Sequence, residues 1–367
     1  REAAKRSVVL LKNDGGVLPL KKQDQRIALI GPFGADRDQL WGCWALFGNK
    51  SNDVDIASGI RHALSNPQLL NVIKGCDFEQ PIETDGFAAA AQAARGADVV
   101  VLAIGEPSYF SGESQSRTQI VIPPVQQHLV DAVAQAGKPM VVLLKTGRAL
   151  ALTGSVLAAQ AILVIWSLGT QTGPAVADVL FGDYNPSARL PVSFPQDSGQ
   201  QPLFYNRPRT GRLDPPGQPR DFKARFREVS SYALFPFGYG LSYTTFEYSR
   251  PVLSSEGVCW EVGRVNVTAT VRNTGAVAGE EVVQLYVHDR VASRVRPIRE
   301  LKGFRKIFLA PGASSDVTFT IEKGALAFHG ADNKLTVEPG VFDVWVAPSS
   351  GQGEVVSFEL FPPVVQS

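Results

Sequence analysis

Four runs of apolar residues divide the first half of the chain into regular segments. They are IALIG at 27–31, DVVVLAIG at 98–105, PMVVLLKTG at 139–147 and AILVIWSLG at 161–169. Apolar runs without alternation are typical of strands that are buried on both faces, as in a parallel sheet. The segments GFAAAAQAARGA at 86–97 and PPVQQHLVDAVAQAG at 123–137 lie between these runs and predict helices. Strands that alternate with helices in this way predict an α/β layer fold.

After about residue 245 the apolar positions recur with a period of two. The segments concerned are GRVNVTATVRNTG at 263–275, EEVVQLYVHD at 280–289, SSDVTFTIE at 314–322 and GVFDVWVAP at 340–348. Turn sequences such as NTG, APG and EPG separate them at short intervals. Short alternating strands with such turns predict an antiparallel β-sandwich of the immunoglobulin or fibronectin type.

The region between these two patterns has neither period. Residues 210–227 read TGRLDPPGQPRDFKARFR, a sequence rich in proline and arginine that predicts an extended linker. The predicted fold class is therefore α/β plus all-β. The predicted limits are a first segment at 1–25, the α/β domain at 26–206, the linker at 207–245 and the β-sandwich at 246–367.

Length and charge narrow the classes of partner. A chain of 367 residues exceeds what one hydrophobic core usually serves, which favours two domains. The balance of 36 Lys and Arg against 35 Asp and Glu, without a basic block, argues against nucleic acid as the main partner. No apolar run approaches the roughly 18 residues of a transmembrane helix, so no membrane span is expected.

Several chemical signatures are missing from the sequence. IGPFGAD at 30–36 lacks the GxGxxG pattern and a following Lys-Ser/Thr pair, which argues against a nucleotide site. The histidines are scattered and GxSxG does not occur, so neither a metal site nor a hydrolase nucleophile elbow is predicted. Cys43, Cys76 and Cys259 form no CxxC pair and signal neither a disulfide framework nor a zinc site, while a Cys43–Cys76 bridge stays open.

Two acidic residues follow the second apolar run. Residues 105–117 read GEPSYFSGESQSR, with Glu106 next to the predicted strand and Glu113 further along a loop rich in Gly and Ser. Desolvation over an apolar sheet edge raises the pKa of a carboxyl group, which can then protonate a leaving group. The alternative is that both residues are solvated loop acids or helix-cap partners.

Aromatic residues are frequent near these acids. Tyr109 and Phe110 lie between them, and Trp41, Trp44 and Phe47 follow the first apolar run. The loops after parallel strands meet at the same edge of the sheet, so these rings are expected near the acids. Aromatic rings beside acids suit the binding of a sugar, whose faces stack on rings. The alternative is that the rings belong to the hydrophobic core.

Six longer segments carry a family resemblance. They are REAAKRSVVLLKNDGGVLPL at 1–20, GESQSRTQIVIP at 112–123, GKPMVVLLKTGRALAL at 137–152, ADVLFGDYNPSARLPVSFP at 177–195, FPFGYGLSYTTF at 235–246 and RPIRELKGFRKIFLAPG at 296–312. In sequence and order they resemble glycoside hydrolase family 3, and the nearest group is similar to the bacterial periplasmic β-glucosidases. The resemblance covers essentially the whole chain. It implies an α/β sandwich domain followed by a fibronectin type III-like β-sandwich.

The resemblance also implies a chemistry. The family hydrolyses glycosides with retention, using two carboxylates and a covalent glycosyl intermediate. Its acid/base is a Glu in a loop of the α/β sandwich, and Glu113, which precedes SRT, matches it better than Glu106. Arg117 is expected to orient this acid or to contact sugar hydroxyls, and a loop-fixing salt bridge is the alternative. Trp44 and Phe47 match an aromatic platform for the sugar beyond the cleavage point. No metal or cofactor is implied.

The chain departs from the family at its start. The family nucleophile is an Asp on an N-terminal (β/α)8 barrel, and this chain begins at the segment that follows the barrel. The resemblance therefore implies the C-terminal part of a periplasmic or secreted β-glucosidase, inactive alone and completed by the barrel domain. The implied substrate is a β-linked oligosaccharide or an aryl glucoside. A β-xylosidase, a non-catalytic carbohydrate-binding or scaffold module, and a homodimer stay open as alternatives.

Overall fold

The structure is a computed structural model that describes residues 1–82, 85–209 and 224–363. The chain divides into two compact units. The first comprises Arg1–Ala188, Phe194–Gln201 and Gly240–Tyr243, and the second Arg189–Ser193, Pro202–Tyr239 and the chain from Thr244 onward. The middle of the predicted linker, 210–223, lies outside the described residues, and the predicted domain limits stay a prediction.

The first unit is built on a six-stranded sheet. Its strands are β1 (Val9–Asn13), β2 (Ile27–Ile30), β3 (Leu70–Ile73), β4 (Val99–Gly105), β5 (Met140–Lys145) and β6 (Ala161–Val164). They lie in the order β1-β6-β5-β4-β2-β3, with β1 antiparallel to β6 and the other neighbours parallel. β2, β4, β5 and β6 are buried over their whole length, which confirms the prediction from the four apolar runs.

The first unit also contains the helices α1 (Glu2–Lys5), α2 (Ile56–Ala63), α3 (Gly86–Gly96), α4 (Pro124–Ala134), α5 (Gly154–Ala158) and α6 (Thr172–Leu180). Of these, α2, α3 and α4 pack against the sheet. The predicted α3 and α4 are confirmed, and α3 begins after Asp85, whose carboxylate accepts a hydrogen bond from Ala88 N at 3.1 Å. α2 and α6 touch backbone to backbone. A Cβ on Gly59 would lie 2.1 Å from the carbonyl carbon of Gly173, so no side chain fits there.

The second unit is a β-sandwich, as the period of two predicts. Its strands are β7 (Phe246–Tyr248), β8 (Val252–Leu253), β9 (Gly257–Val258), β10 (Arg264–Asn273), β11 (Gly279–Asp289), β12 (Glu300–Leu309), β13 (Ser314–Glu322), β14 (Phe328–His329), β15 (Leu335–Thr336), β16 (Gly340–Ala347) and β17 (Val356–Leu360). One sheet has the order β13-β10-β7, with β8 also pairing with β10, and the other has the order β12-β11-β16-β17-β9. The inward residues of both sheets, including Val267, Val283 and Val344, form one core.

The second unit contains a buried ion pair. The Tyr248 hydroxyl donates a hydrogen bond to Glu281 Oε1 at 2.7 Å, and Arg189 Nη2 donates to Glu281 Oε2. Burial raises the pKa of Glu281, and the charge of Arg189 acts in the opposite direction. Arg189 belongs to this unit although it follows α6 in the sequence. A segment that lies in the sequence between two parts of the first unit therefore supplies one partner of an ion pair within the second unit.

The cysteines correct one alternative from the sequence. All three are free: Cys43 and Cys259 are exposed and Cys76 is buried. The Cys43–Cys76 bridge is therefore not formed. Burial raises the pKa of the Cys76 thiol to about 12, so this side chain behaves as a small apolar group. Within the described ranges, no helix has the length and apolar character that a membrane span requires.

Candidate active site

The loops after β2, β4, β5 and β6 leave the same edge of the first unit's sheet. Gly105 ends β4 with φ +136°, and a Cβ there would lie 1.9 Å from the Lys145 carbonyl oxygen. Only glycine fits this position. The chain turns there directly into Glu106, whose N–H donates to the same carbonyl at 2.8 Å. Residues 106–117, which we call the acid loop, therefore begin directly at the end of the central strand β4.

Glu106 lies buried at the base of the acid loop. Its side chain is 0% exposed and is bound by two arginines: Arg117 Nη1 lies 3.0 Å from Oε1, and Arg148 Nε lies 3.0 Å from Oε2. Burial raises the pKa of Glu106, while the charges of Arg148 and Arg117 act in the opposite direction. The two guanidinium groups occupy both carboxylate oxygens, so this carboxylate is enclosed by protein.

The same arginines hold the backbone of the acid loop. Arg148 also donates to the carbonyl oxygens of Phe110 and Gln115, the second at 3.3 Å. The Arg117 guanidinium lies 4.1 Å from the centre of the Phe110 ring. Arg117 is thus paired with Glu106, which is the loop-fixing geometry among its predicted roles. Glu106 and its two arginines connect the start, the middle and the end of the loop.

Glu113 lies exposed at the tip of the acid loop. In the described part of the chain, neither an ion pair nor a hydrogen bond engages its carboxylate. Positive φ angles flank it on both sides, +118° at Gly112 and +61° at Ser114. A serine in the left-handed region is strained, and such residues are enriched at functional sites. The backbone therefore turns sharply around Glu113, and its side chain is accessible to a ligand or another protein surface at this edge of the sheet.

A second loop, residues 39–48, carries the predicted aromatic platform and is called the aromatic loop below. Its tip is highly exposed: Trp44 by 66%, Leu46 by 77% and Phe47 by 92%. At its base, Trp41 Nε1 donates to Asp53 Oδ1 at 2.9 Å. Gly48 packs on the Trp41 ring, since a Cβ on Gly48 would lie 1.3 Å from a ring carbon. The loop is thus closed on itself below an apolar tip.

The structure brings the two loops together. Gln39 Oε1 accepts two hydrogen bonds from Ser108, from the amide N and from Oγ, both at 2.8 Å. A Cβ on Gly112 would lie 3.3 Å from Cys43 Sγ and 4.0 Å from Trp44 Cζ2. The residue before Glu113 therefore touches the aromatic loop. The structure thus brings the predicted acid next to the loop of the predicted aromatic platform, while Arg117 is paired with Glu106 at the base of the acid loop.

A buried lysine lies at the same edge. Lys145 ends β5, is 4% exposed, and places Nζ 3.4 Å from Ser167 Oγ and 5.5 Å from the centre of the Phe33 ring. Burial lowers the pKa of Lys145 to about 8, although the charges of Asp36 and Glu106 raise it. Lys145 is therefore a buried amine at this edge of the sheet with a lowered pKa.

Sequence reasoning missed several of these residues. Arg148, Gln39, Asp53 and Lys145 belong to the bases of the two loops and were not among the predicted site residues. The order of the apolar runs contained a signal, because residues after adjacent parallel strands meet at one edge. Among the residues described, no group of three His, Cys, Asp or Glu side chains is arranged to hold a metal ion.

The family comparison agrees with this architecture. Residues 8–243 match the model described as glycosyl hydrolase family 3 C-terminal domain, and residues 281–350 match the fibronectin type III-like domain. The chain belongs to glycoside hydrolase family 3. The family resemblance and the fold class, an α/β sandwich followed by a fibronectin type III-like β-sandwich, are confirmed.

Individual relatives cover the chain almost completely. The periplasmic beta-glucosidase of Salmonella typhimurium is 40% identical over 98% of this chain and 49% of its own length. A beta-xylosidase of Formosa agariphila is 36% identical over 98% of this chain and 49% of its own length. The crystal structure of a beta-glucosidase from Listeria innocua in complex with glucose is similar with a TM-score of 0.92 and 34% identity, over 99% of this chain and 49% of that chain. The chain thus spans about half the length of these relatives.

Proposed function

We propose that this chain is the C-terminal part of a retaining β-glucosidase that removes terminal β-D-glucosyl residues from β-glucosides. Glu113 is the general acid/base, and the nucleophile is an Asp on a (β/α)8 barrel outside this chain. The observation that carries the proposal is the difference between the two acids: Glu106 is enclosed by two arginines, whereas Glu113 is exposed beside the aromatic loop. The chain without its barrel is expected to be inactive, because one carboxylate of the pair is missing.

The proposed reaction has two steps. In the first, Glu113 gives its proton to the glycosidic oxygen while the barrel carboxylate attacks the anomeric carbon, so the leaving group departs as an alcohol. In the second, Glu113 takes a proton from water, and this water breaks the glycosyl–enzyme bond and frees the nucleophile. Retaining enzymes hold their two carboxyl groups about 5–5.5 Å apart. The barrel must therefore meet this chain at the tip of the acid loop.

The remaining site residues have supporting roles in this proposal. Glu106, with Arg117 and Arg148, fixes the acid loop and so holds Glu113 in place. Trp44 and Phe47 contact the part of the substrate that leaves. Relatives twice as long support the barrel as a partner domain, and the name of the Salmonella relative supports a periplasmic or secreted location. The beta-xylosidase of Formosa agariphila supports a β-xylosidase as the second candidate.

The test is chemical rescue in the assembled enzyme, in which this chain is combined with its barrel. Glu113→Gln removes the proton donor and keeps the shape of the side chain, and general acid catalysis contributes about 10²–10⁴-fold. We expect a loss of this size on cellobiose. A dinitrophenyl glucoside needs no protonation, so it should show a burst followed by slow turnover.

Azide needs no general base, so it should restore the second step and yield a β-glycosyl azide. Glu106→Gln is the matched control, because it changes a carboxylate of the same loop. We expect no rescue of that variant. Azide rescue of Glu106→Gln together with an unaffected Glu113→Gln would reverse the two roles.

A further inference from the structure

The second unit contains a cavity of about 310 Å³ that the proposed function does not use. Its walls come from within residues 203–207, 231–236, 298–299 and 350–351, together with Ser193. All of these stretches belong to the second unit. None of the described residues that line the cavity is an Asp or a Glu, whereas Arg207 and Arg299 are both arginines. The walls of the cavity therefore carry positive charge without an acidic side chain to balance it.

Arg299 is half-buried and differs from neighbouring arginines of the same unit in having no acidic partner. Arg290 Nη2 lies 2.6 Å from Asp343 Oδ1, and Arg296 Nη2 lies 2.7 Å from Glu300 Oε2. Among the described residues, no carboxylate forms an ion pair with Arg299. A partly desolvated guanidinium without a carboxylate is suited to bind an anion that comes from outside the protein.

The contacts of Arg299 fix the orientation of its guanidinium group. Nη1 donates to the carbonyl oxygens of Ser350 and Gln352, both at 2.7 Å, and the group lies 4.3 Å from the centre of the Trp345 ring. Within the described ranges, Nε and Nη2 donate no hydrogen bond. Burial lowers the pKa of Arg299 to about 10, so these contacts compensate its charge only in part. The guanidinium is therefore held in place with two nitrogens available to a ligand.

Arg207 brings a second positive charge to the cavity. Its carbonyl oxygen accepts from Ile298 N at 3.0 Å, and the next residue, Pro208, pairs with Pro297. This pairing places the backbone of Arg207 beside the residue that precedes Arg299. In the part of the chain that the structure describes, neither a hydrogen bond nor an ion pair engages the Arg207 side chain. Two neighbouring stretches of backbone thus carry the two arginines to one cavity.

Aromatic rings complete the walls of the cavity. Phe204 is 62% exposed, and Tyr232 is also exposed. Tyr205 is stacked on Phe237 with the ring centres 4.1 Å apart, and its hydroxyl accepts from Leu301 N at 3.2 Å. Sites for small molecules combine such rings with a few polar groups and measure about 300–1,000 Å³, so this cavity has room for a ligand of about one sugar ring.

We propose that this cavity binds a small sugar that carries an oxyanion, either the carboxylate of a uronic acid or a phosphate ester. Arg299 and Arg207 bind the oxyanion, and the exposed ring of Phe204 contacts the sugar. This binding does not depend on the role proposed for Glu113.

The test is isothermal titration calorimetry of the assembled enzyme with D-glucuronate and with glucose 6-phosphate. Excess D-glucose is present throughout, so that a neutral sugar occupies the glucose site of the proposed reaction. The loss of one hydrogen bond to a charged group should weaken binding about ten- to hundredfold. We expect this weakening in Arg207→Gln, which breaks no contact among the described residues. We also expect it in Arg299→Lys, which keeps the charge and loses the planar fork.

Arg294→Gln is the matched control. Arg294 is an exposed arginine of the same segment between β11 and β12 and does not line the cavity, so this variant should keep the affinity. Binding of only one of the two anionic sugars supports the proposal and identifies the oxyanion. If neither binds, or if both arginine variants bind as the unmodified enzyme does, the proposal is wrong. Inorganic phosphate that binds as tightly as glucose 6-phosphate also overturns it, because the sugar ring would then contribute nothing.

One further variant tests whether the chain supplies its own anion. Residues 210–223, which lie outside the described residues, contain Asp214 and Asp221. The variant Asp214→Asn/Asp221→Asn should bind the anionic sugar with unchanged affinity. Binding that appears only in this variant would mean that a carboxylate of the chain occupies the cavity, and the proposal would be overturned.

Discussion

Glu106 and Glu113 belong to the same loop and differ in almost every physical respect. Glu106 is enclosed at the base, with Arg117 and Arg148 each 3.0 Å from one of its oxygens. Glu113 is exposed at the tip, between two residues with positive φ. The base has the partners that fix a backbone, and the tip has the access that proton transfer to a substrate requires. In this loop one carboxylate holds the backbone in place, and the other is accessible from outside the protein.

The second unit shows that a buried ion pair alone does not indicate a catalytic site. Glu281 is also buried and bound by an arginine, Arg189, and burial raises its pKa as it does for Glu106. It lies in a β-sandwich whose alternating strands account for its position. What distinguishes the acid loop is the neighbouring exposed acid and the aromatic loop in contact with it. A buried and paired carboxylate is therefore evidence of structure alone, and the proposed role of Glu113 depends on the aromatic loop in contact with the residue before it.

Removal of the Glu106 carboxylate, at the base of the acid loop, should have the largest effect on stability. Glu106→Ala leaves Arg117 and Arg148 without their carboxylate, and breaking a buried ion pair is strongly destabilising. Both arginines retain 23% side-chain exposure, so we expect a loss near the lower limit for such pairs, about 3 kcal/mol. Urea unfolding of the chain, followed by circular dichroism, measures it. A loss below about 1 kcal/mol would show that the base does not fix the loop.

The buried lysine should have the next largest effect, with a defined pH dependence. The pKa of Lys145 is lowered to about 8, whereas the unfolded chain titrates near the ordinary value of 10.5. Between these two pH values the unfolded state binds the proton and the folded state does not, so stability rises with pH. Below pH 8 the cost of the buried charge is complete. Lys145→Met, of similar length, should therefore stabilise the chain by up to about 3 kcal/mol at pH 7.

The pH series provides the control for this variant. Thermal unfolding of both proteins at pH 7, 8, 9 and 10 should show the advantage of Lys145→Met shrinking as the pH rises above about 8. An advantage that stays constant across this range would mean that packing, and not charge, is responsible.

The smallest effect is expected at the tip. Glu113→Ala removes an exposed side chain, and substitutions of this kind change stability by less than about 0.5 kcal/mol. The same urea experiment tests it against Glu106→Ala. If Glu113→Ala lowered the free energy of unfolding as much as Glu106→Ala does, the tip of the acid loop would matter as much for stability as its base.

The fold was largely predictable because strands that are buried on both faces appear in the sequence as continuous apolar runs. β4 and β5 are central strands, and both appear in the sequence as continuous apolar runs. β1, in contrast, was not predicted, since it lies antiparallel at the sheet edge and its pairing with β6 depends on residues far along the chain. Local pattern does not contain that information.

The site was predictable only in part. Glu113, Trp44 and Phe47 are predicted from motifs of the family resemblance and stay predictions, although the structure brings their loops together through Gly112. The pairing of Arg148 with Glu106 depends on the adjacency of β4 and β5, which the sequence does not state. Lys145 is the polar residue at the end of an apolar run, and it is buried where Phe33 and Ser167, which follow β2 and β6, lie near its amine.

The discontinuous second unit has a consequence for recombination between relatives. Arg189, which pairs with Glu281, is separated from the rest of that unit by Phe194–Gln201 of the first. A chimera joined at one point near residue 244 would combine the sandwich of one parent with the arginine segment of the other. Viable hybrids should therefore inherit both positions from the same parent, or from two parents whose residues at these positions can still pair.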